Sequence, residues 1–137
     1  MKTLRFIDTS GFYSILARRD SMHSKACGLL DTAAEQTTGF VTTDYVLDET
    51  ATLLQARGMF HTLPGFFDSI FESRACIIEW MDPDRFIKTH KFFLKHGDHA
   101  WSFTDCFSFI VMKERRISEA VTKDRHFEEA GFIPLLV

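Results

Sequence analysis

Cysteines are few in this sequence and lie far apart. Its three cysteines are Cys27, Cys76 and Cys106, an odd number without a C-x-x-C pair. This spacing indicates neither a zinc knuckle nor a disulfide framework. We therefore expect reduced cysteines packed in the core of a protein from a reducing compartment.

Long apolar runs and leader-like segments are also missing. No stretch approaches the roughly 20 apolar residues of a membrane span, and Arg5 and Asp8 interrupt the apolar run near the N-terminus. A signal peptide needs a longer apolar region than this. Because linkers, repeats and low-complexity tracts are absent too, we expect a single domain over residues 1–137, in the cytoplasm and without membrane attachment.

The sequence lacks an excess of positive charge. It has 16 Lys and Arg against 19 Asp and Glu, a formal net charge of −3. Proteins that hold nucleic acid by bulk electrostatics usually have a basic face or a basic isoelectric point. Net charge thus counts mildly against a non-specific nucleic-acid binder, and any RNA contact must come from a local patch.

What the sequence does have is a composition typical of a packed globular domain. Hydrophobic residues make up 45% of the chain, and 15 residues are phenylalanine. So much aromatic surface is soluble only if most of it is buried.

Short β-like runs alternate with longer helical runs, which predicts an α/β fold with a parallel sheet. The predicted strands are residues 4–7, 40–42, 75–79 and 120–122, with 132–133 and 135–137 as a candidate fifth. The predicted helices cover about residues 8–18, 21–36, 44–57, 62–72, 83–96, 102–114 and 125–130.

Two aspartates follow predicted strands directly. Asp8 comes after Phe6-Ile7, and Asp124 comes shortly after Val121. In open α/β sheets the functional crevice lies beyond the carboxyl ends of the strands, where both acids would meet. Either one alone is explained equally well as the N-cap of the helix that follows.

Glu49 lies at the edge of a buried helical stripe. It stands three residues after Val46 and four before Leu53, so it borders the apolar face of its helix, whereas Asp48 points to the opposite side. A boundary glutamate that reaches out to water is the alternative interpretation.

Asp105 begins a helix that is apolar nearly all round. Ser102-x-x-Asp105 matches a loose capping box. A carboxylate at the base of such a helix needs a partner, since an unpaired buried charge is costly. That partner is a bound cation, an arginine or a backbone amide.

Taken together, these acids predict a shared cation. Several carboxylates in one crevice repel each other and raise each other's pKa unless a cation offsets them. Mg²⁺ or Mn²⁺ suits such a pocket because both are hard ions that prefer carboxylate oxygens.

Four segments of the sequence resemble the PIN-domain family, and its VapC-like toxins in particular. They are Phe6 to Ser10, Thr43 to Thr50, Ser102 to Cys106 and Thr122 to Phe127. The resemblance spans essentially the whole chain. It implies a three-layer α/β fold, with helices on both faces of a parallel sheet of four or five strands ordered 3-2-1-4-5. It also implies a Mg²⁺- or Mn²⁺-dependent endoribonuclease that cleaves single-stranded or loop RNA and leaves a 3′-hydroxyl and a 5′-phosphate.

The resemblance also assigns roles to individual residues. Asp8, Glu49 and Asp105 match the family's metal-binding acids, and Asp124 matches a more variable fourth. The family often has small hydroxyl residues near its site, which would orient carboxylates or waters. In this sequence they correspond to Ser10, Thr104 and Thr122. VapC-like proteins usually form homodimers and are held inactive by a cognate antitoxin.

Basic residues near these acids are candidate contacts to RNA phosphates. Lys123 and Arg125 flank Asp124, and Arg18 ends the first predicted helix. Surface charge in contact with solvent is the alternative for each of them.

Other functions fit the sequence less well. His96-x-x-His99 lacks the further ligands of a zinc site. A receiver-like phosphoacceptor module needs adjacent acids after its first strand, where Asp8 stands alone, and a D-x-D phosphatase fails for the same reason. A non-catalytic or housekeeping PIN-domain protein in RNA processing stays open as the main alternative.

Overall fold

Five parallel strands form the centre of the protein, in the order β3-β2-β1-β4-β5. The computed structural model describes residues 2–137. Its strands are β1 (Thr3–Ile7), β2 (Thr38–Thr43), β3 (Cys76–Glu79), β4 (Glu119–Val121) and β5 (Ile133–Pro134). The strand order and the presence of a fifth strand are as predicted, so the expected fold class is confirmed.

Seven α-helices connect and follow the strands. They are α1 (Thr9–Leu16), α2 (His23–Asp31), α3 (Asp44–Ala56), α4 (Leu63–Glu72), α5 (Pro83–Lys95), α6 (Phe103–Glu114) and α7 (His126–Glu129), with a 3-10 turn at Phe60–Thr62. Within residues 2–137, no helix has both the length and the apolar character needed to cross a bilayer.

Helices cover both faces of the sheet. On one face, Ile7 lines a cavity together with Phe12 of α1 and Phe66 of α4. On the other face, Phe6 contacts Phe127 of α7. Successive strand residues point to opposite faces of the sheet. Phe6 and Ile7 therefore contribute to the core on opposite sides of β1, the central strand.

The second helix is shorter than predicted. It ends at Asp31 instead of residue 36, and the hydroxyl of Thr32 donates to the carbonyl of Gly28 at 3.0 Å. The chain then turns, with Thr37 at a φ of 53°, and β2 begins at Thr38 instead of residue 40. The run of Ala33 and Ala34 favours helix locally, but the β-branched Thr38, with which β2 begins, favours the strand.

The sheet has its topological switch point between β1 and β4. The chain leaves β1 towards β2 on one side, whereas β4 lies on the other side. At such a point the connections diverge and open a crevice at the carboxyl ends of the strands. Asp8 follows β1 and Asp124 follows β4, so both come to this crevice.

Gly11 allows α1 to lie close to the end of β4. A Cβ atom at this position would lie 2.0 Å from the carbonyl oxygen of Val121. Only glycine fits this approach of helix backbone to strand backbone, and the approach places the start of α1 beside the end of β4.

Candidate active site

A pocket of about 180 Å³ opens at the switch point. The ends of β1 and β4 and the helices α3 and α6 all contribute to it. Its lining residues are Asp8, Thr9, Ser10, Val46, Glu49, Leu53, Thr104, Asp105, Ser108 and Asp124. The structure therefore brings the four acids singled out in the sequence into one pocket, from positions up to 116 residues apart (124 − 8).

A hydrogen-bond network holds the Asp8 carboxylate. The Gly11 amide and the Ser10 hydroxyl each donate to Asp8 Oδ1 at 2.9 Å. The Thr122 hydroxyl donates to Asp8 Oδ2 at 2.7 Å. Asp8 is thus the N-cap of α1, as the alternative interpretation expected, and it faces the pocket as well. One carboxylate serves both roles.

The same hydroxyls tie Asp8 to the segment that carries Asp124. Ser10 Oγ accepts from the backbone amide of Lys123 at 2.9 Å, and Thr122 Oγ1 accepts from the amide of Asp124 at 2.9 Å. Ser10 and Thr122 therefore orient the acids through hydrogen bonds. Thr104 lines the pocket, and its carbonyl accepts from Ser108.

Burial makes Asp8 a weak acid for an aspartate. Its side chain is almost fully enclosed, and burial raises its pKa to about 7, with a smaller upward contribution from the charge of Asp124. The hydrogen bonds from Thr122, Gly11 and Ser10 act in the opposite direction but do not cancel it. A carboxylate in this state gains from a nearby cation.

Asp105 and Asp124, which line the pocket, form a compact cluster with His126. Their ligand atoms all lie within 4.8 Å of one another. His126 Nδ1 lies 3.1 Å from Asp105 Oδ2 and 3.3 Å from Asp124 Oδ1. Burial raises the pKa of Asp105, and the charge of Asp124 adds to this rise. Burial lowers the pKa of His126, but the hydrogen bond to Asp105 and the charge of Asp124 raise it overall. When His126 is protonated, its imidazolium offsets part of the negative charge of the two acids.

Glu49 stands at the outer side of the pocket. It lines the pocket from α3, and its side chain is exposed. Within residues 2–137, neither Glu49 nor Asp8 joins a group of three ligands as compact as that of Asp105, Asp124 and His126. The exposed Asp48 lies outside the lining of this pocket.

The donor set fits a hard divalent cation. Asp105 uses Oδ2 for its capping box with Ser102 and for His126, so Oδ1 has no hydrogen-bond donor in the part of the chain described. Thr9 lines the pocket, and its buried hydroxyl has no partner among residues 2–137. A buried polar atom without a partner is costly. Free carboxylate and hydroxyl oxygens are the ligands that Mg²⁺ and Mn²⁺ prefer.

The basic residues named from the sequence lie beside the pocket, and two of them are paired. Lys123 Nζ contacts Asp20 Oδ1 at 2.6 Å, and Arg125 contacts Glu128 at 3.3 Å. Arg18 lies in a separate cavity of about 410 Å³. We call this cavity the arginine depression; it is lined by Tyr13, Ala17, Arg18, Arg19, Asp20, Ser21, Arg57 and Met59.

Sequence reasoning underrated His126. It is not among the residues assigned above to the metal site or to RNA contacts, whereas the structure has it half-buried between two of the acids. One local signal was available, the spacing of Asp124 and His126. Aspartate favours a turn in which its side chain accepts from the backbone amide two residues later, and Asp124 Oδ1 accepts from the His126 amide at 2.9 Å.

The histidines His96 and His99 lie close to Asp98, which stands between them in the sequence. With Asp98 they form a second group whose ligand atoms lie within 4.8 Å, and Asp98 is exposed. His99 stacks on Trp101 with ring centroids 3.9 Å apart. This aromatic packing accounts for the position of His99 without a metal.

Comparison with known proteins assigns the family. The PIN-domain model matches residues 5–133. The chain belongs to the PIN-domain family. The 23S rRNA-specific endonuclease VapC20 of Mycobacterium tuberculosis, found in two strains, is 30% identical to it over 128 residues. This match covers 93% of the chain and 95% of VapC20.

The PIN fold is confirmed by a solved structure. The crystal structure of M. tuberculosis VapC20, a Sarcin-Ricin loop cleaving toxin, matches with a TM-score of 0.83 at 27% identity. The match covers 96% of this chain and 97% of that one. The resemblance found in the sequence, to PIN domains and to VapC-like toxins, is therefore confirmed.

Proposed function

We propose that this PIN-domain protein is a metal-dependent endoribonuclease and the toxin of a toxin–antitoxin pair. The observation that carries the proposal is the convergence of Asp8, Glu49, Asp105 and Asp124 on one pocket at the switch point. The relative VapC20 is named a 23S rRNA-specific endonuclease. We infer the same substrate here, the sarcin–ricin loop of ribosomal RNA, which would place the protein in the cytoplasm.

The pocket's own residues divide the work. Asp105 and Asp124 would hold Mg²⁺ or Mn²⁺ with their free oxygens, joined by Asp8 from the inner side and Glu49 from the outer side. Bound there, the ion would supply Lewis-acid chemistry for phosphodiester hydrolysis. His126 Nδ1, which lies 3.1 Å from Asp105 Oδ2 and 3.3 Å from Asp124 Oδ1, would hold a proton between them.

The hydroxyl residues have a positioning role in this proposal. Ser10 and Thr122 fix both oxygens of Asp8, so that the carboxylate cannot rotate away from the pocket. Orientation of this kind commonly decides how well a carboxylate site binds its metal.

The direct test is cleavage of an RNA oligonucleotide that contains the sarcin–ricin loop. With Mg²⁺ or Mn²⁺ we expect one main cut that leaves a 5′-phosphate, and no cut in excess EDTA. Asp8→Asn should lower the rate by about a hundredfold or more, and Asp48→Asn should leave it unchanged. Full activity in EDTA, or in Asp8→Asn, contradicts the proposal. A folded protein without any activity supports the non-catalytic alternative.

We also propose that the protein forms a homodimer through α5. At about 100° per residue, Phe86, Ile87 and Leu94 share one face of this helix, and all three are exposed. Isolated exposed apolar residues are ordinary, but three of them on one face of a single helix favour an interface. Light scattering should show a dimer that Leu94→Glu converts to a monomer. A wild-type monomer at micromolar concentration would exclude this interface.

A cognate antitoxin is the remaining partner that we propose. VapC20 is described as a toxin, and a toxic ribonuclease needs an inhibitor in the cell that makes it. The proposal predicts a small antitoxin reading frame beside the gene, whose product abolishes RNA cleavage when the two proteins are mixed. A product that binds without affecting cleavage would contradict it.

A further inference from the structure

The arginine depression carries positive charge that the protein itself does not neutralise. Arg18, Arg19 and Arg57 are exposed, and in residues 2–137 none of the three has a carboxylate within 4.0 Å. Asp20 is the only acid in its lining, and the Lys123 ammonium already pairs with it at 2.6 Å. In a protein with a net charge of −3, this is a local basic patch.

An aromatic ring lies among these charges. The Arg57 guanidinium lies 5.4 Å and the Lys123 ammonium 5.9 Å from the centroid of the Tyr13 ring. The ring is half-buried, so part of it faces the depression. Guanidinium groups bind phosphates in a bidentate manner, and both tyrosine rings and guanidinium planes stack on unpaired bases.

The depression and the acid pocket are both lined by residues of α1. Ser10 lines the pocket and Tyr13 lines the depression, three residues apart on α1. This spacing places them on neighbouring positions of the helix, about 4.5 Å apart along its axis. On the other side, Lys123 is the residue next to Asp124. The two cavities are therefore neighbours along α1, and an RNA strand held in one can extend towards the other.

We propose that the arginine depression binds the single-stranded RNA next to the cleaved bond, with phosphates on Arg18, Arg19 and Arg57 and a base on Tyr13. This proposal rests on the proposed ribonuclease function. It favours RNA over an acidic protein segment because the depression combines an aromatic ring with guanidinium groups and adjoins the proposed catalytic acids.

The groove between α5 and α6 provides a charge-matched control. Lys88, Lys91 and Lys95 line it from α5, with a volume of about 460 Å³. Its lining includes neither α1 nor any of the four pocket acids. Substituting its three lysines removes the same charge as substituting the three arginines, so an effect of net charge alone would be equal in both variants.

The test is RNA binding as a function of salt, in an Asp8→Asn background that prevents cleavage. A fluorescein-labelled 12-nucleotide single-stranded RNA is titrated with protein in Mg²⁺ at several KCl concentrations. Arg18→Gln, Arg19→Gln and Arg57→Gln combined should lower the slope of log K against log[KCl] by about 2, at roughly 0.7 per phosphate contact. At 150 mM KCl, affinity should fall about tenfold or more. The triple lysine variant should match the parent.

The tyrosine is tested separately, because stacking does not depend on salt. Tyr13→Leu should weaken binding about tenfold at every KCl concentration, whereas Tyr13→Phe, which keeps the ring, should bind like the parent. Melting curves identify any variant that has lost its fold. If Tyr13→Leu is such a variant, the affinity of Tyr13→Phe for RNA tests the role of the aromatic ring.

Three results overturn the proposal. The first is an unchanged salt slope in the arginine variant. The second is a fall in RNA affinity and in salt slope that is equally large in the lysine variant. The third is a 20-residue polyglutamate peptide that binds through the arginines when the RNA does not bind. A wild-type protein that cleaves no RNA, but whose Asp8→Asn form shows the expected salt slopes, would overturn the nuclease proposal while still supporting RNA binding by the arginine depression.

Discussion

Thr122 donates its hydroxyl proton to Asp8 Oδ2 at 2.7 Å, across 114 residues of sequence. The contact joins the ends of β1 and β4 at the point where the strand order reverses. Because Thr122 also accepts from the Asp124 amide at 2.9 Å, one hydroxyl sets the position of two acids. The geometry of the pocket therefore depends on a residue that is not itself charged.

Replacing this hydroxyl should change how Asp8 ionises. Thr122→Val removes a hydrogen bond to a charged group, which is typically worth about 1.5–3 kcal/mol, so the pKa of Asp8 should rise above about 7. The acid limb of the cleavage rate should then move up by about 1–2 pH units. Thr122→Ser, which keeps the hydroxyl, should restore the profile. Superimposable profiles for the valine and wild-type proteins would show that the hydroxyl has no such effect.

Two neighbouring acids on α3 should differ sharply in their effect on metal binding. Glu49 lines the pocket and Asp48 does not. A carboxylate about 4 Å from a cation contributes on the order of 1–4 kcal/mol at a protein surface, so Glu49→Gln should weaken Mn²⁺ binding about tenfold or more. Asp48→Asn should be nearly silent. Equal effects would mean that Glu49 acts only through the general field of the surface.

Gly11 and Gly28 should respond in opposite directions to alanine. At Gly11 the added Cβ would lie 2.0 Å from the Val121 carbonyl oxygen, whereas at Gly28 it would meet no neighbouring atom of residues 2–137 within 4 Å. Gly11→Ala should lower the free energy of unfolding by about 1–3 kcal/mol, as overpacked sites do. Gly28→Ala, inside α2, should raise it by about 0.5–1 kcal/mol. Urea denaturation measures both, and a neutral Gly11→Ala would show that α1 can shift freely.

The ionisation of Asp8 should appear in the stability of the metal-free protein. Burial raises its pKa in the folded state from 3.8 to about 7. Protonation of Asp8 therefore favours the folded state below about pH 4, and this contribution is lost as the pH rises through 7. In EDTA, Asp8→Asn should melt about 3 °C above wild type at pH 8, and the difference should shrink towards pH 5. The rise in melting temperature stays small because asparagine has one side-chain oxygen instead of two, so Thr122 can lose its acceptor. A difference that is larger at pH 5 would contradict this.

The sequence contained enough information for the fold and for the acids. Strand and helix patterns alternate clearly, and Asp8 and Asp124 stand directly behind strands. The resemblance to PIN domains then placed these strands in the correct order. The predicted boundaries were wrong where local preferences compete, as between the helix former Ala34 and the β-branched Thr38 that begins β2.

Contacts between distant segments were beyond prediction. The bridge from His126 to Asp105 needs α6 and α7 side by side, and the depression formed by Arg18 and Arg57 needs α1 beside α3. Neither helical periodicity nor composition contains that information. The caps were partly predictable, yet nothing local showed that Asp8 and Asp105 each combine a cap with a place in the pocket.

The central claim, that distant acids share one divalent cation, is tested most directly by calorimetric titration with Mn²⁺. Wild-type protein should bind with an affinity that falls sharply in both Asp8→Asn and Asp105→Asn, while both variants stay folded, and that Asp48→Asn does not change. No Mn²⁺ binding by the wild type, or equal binding by all four proteins, would contradict the account.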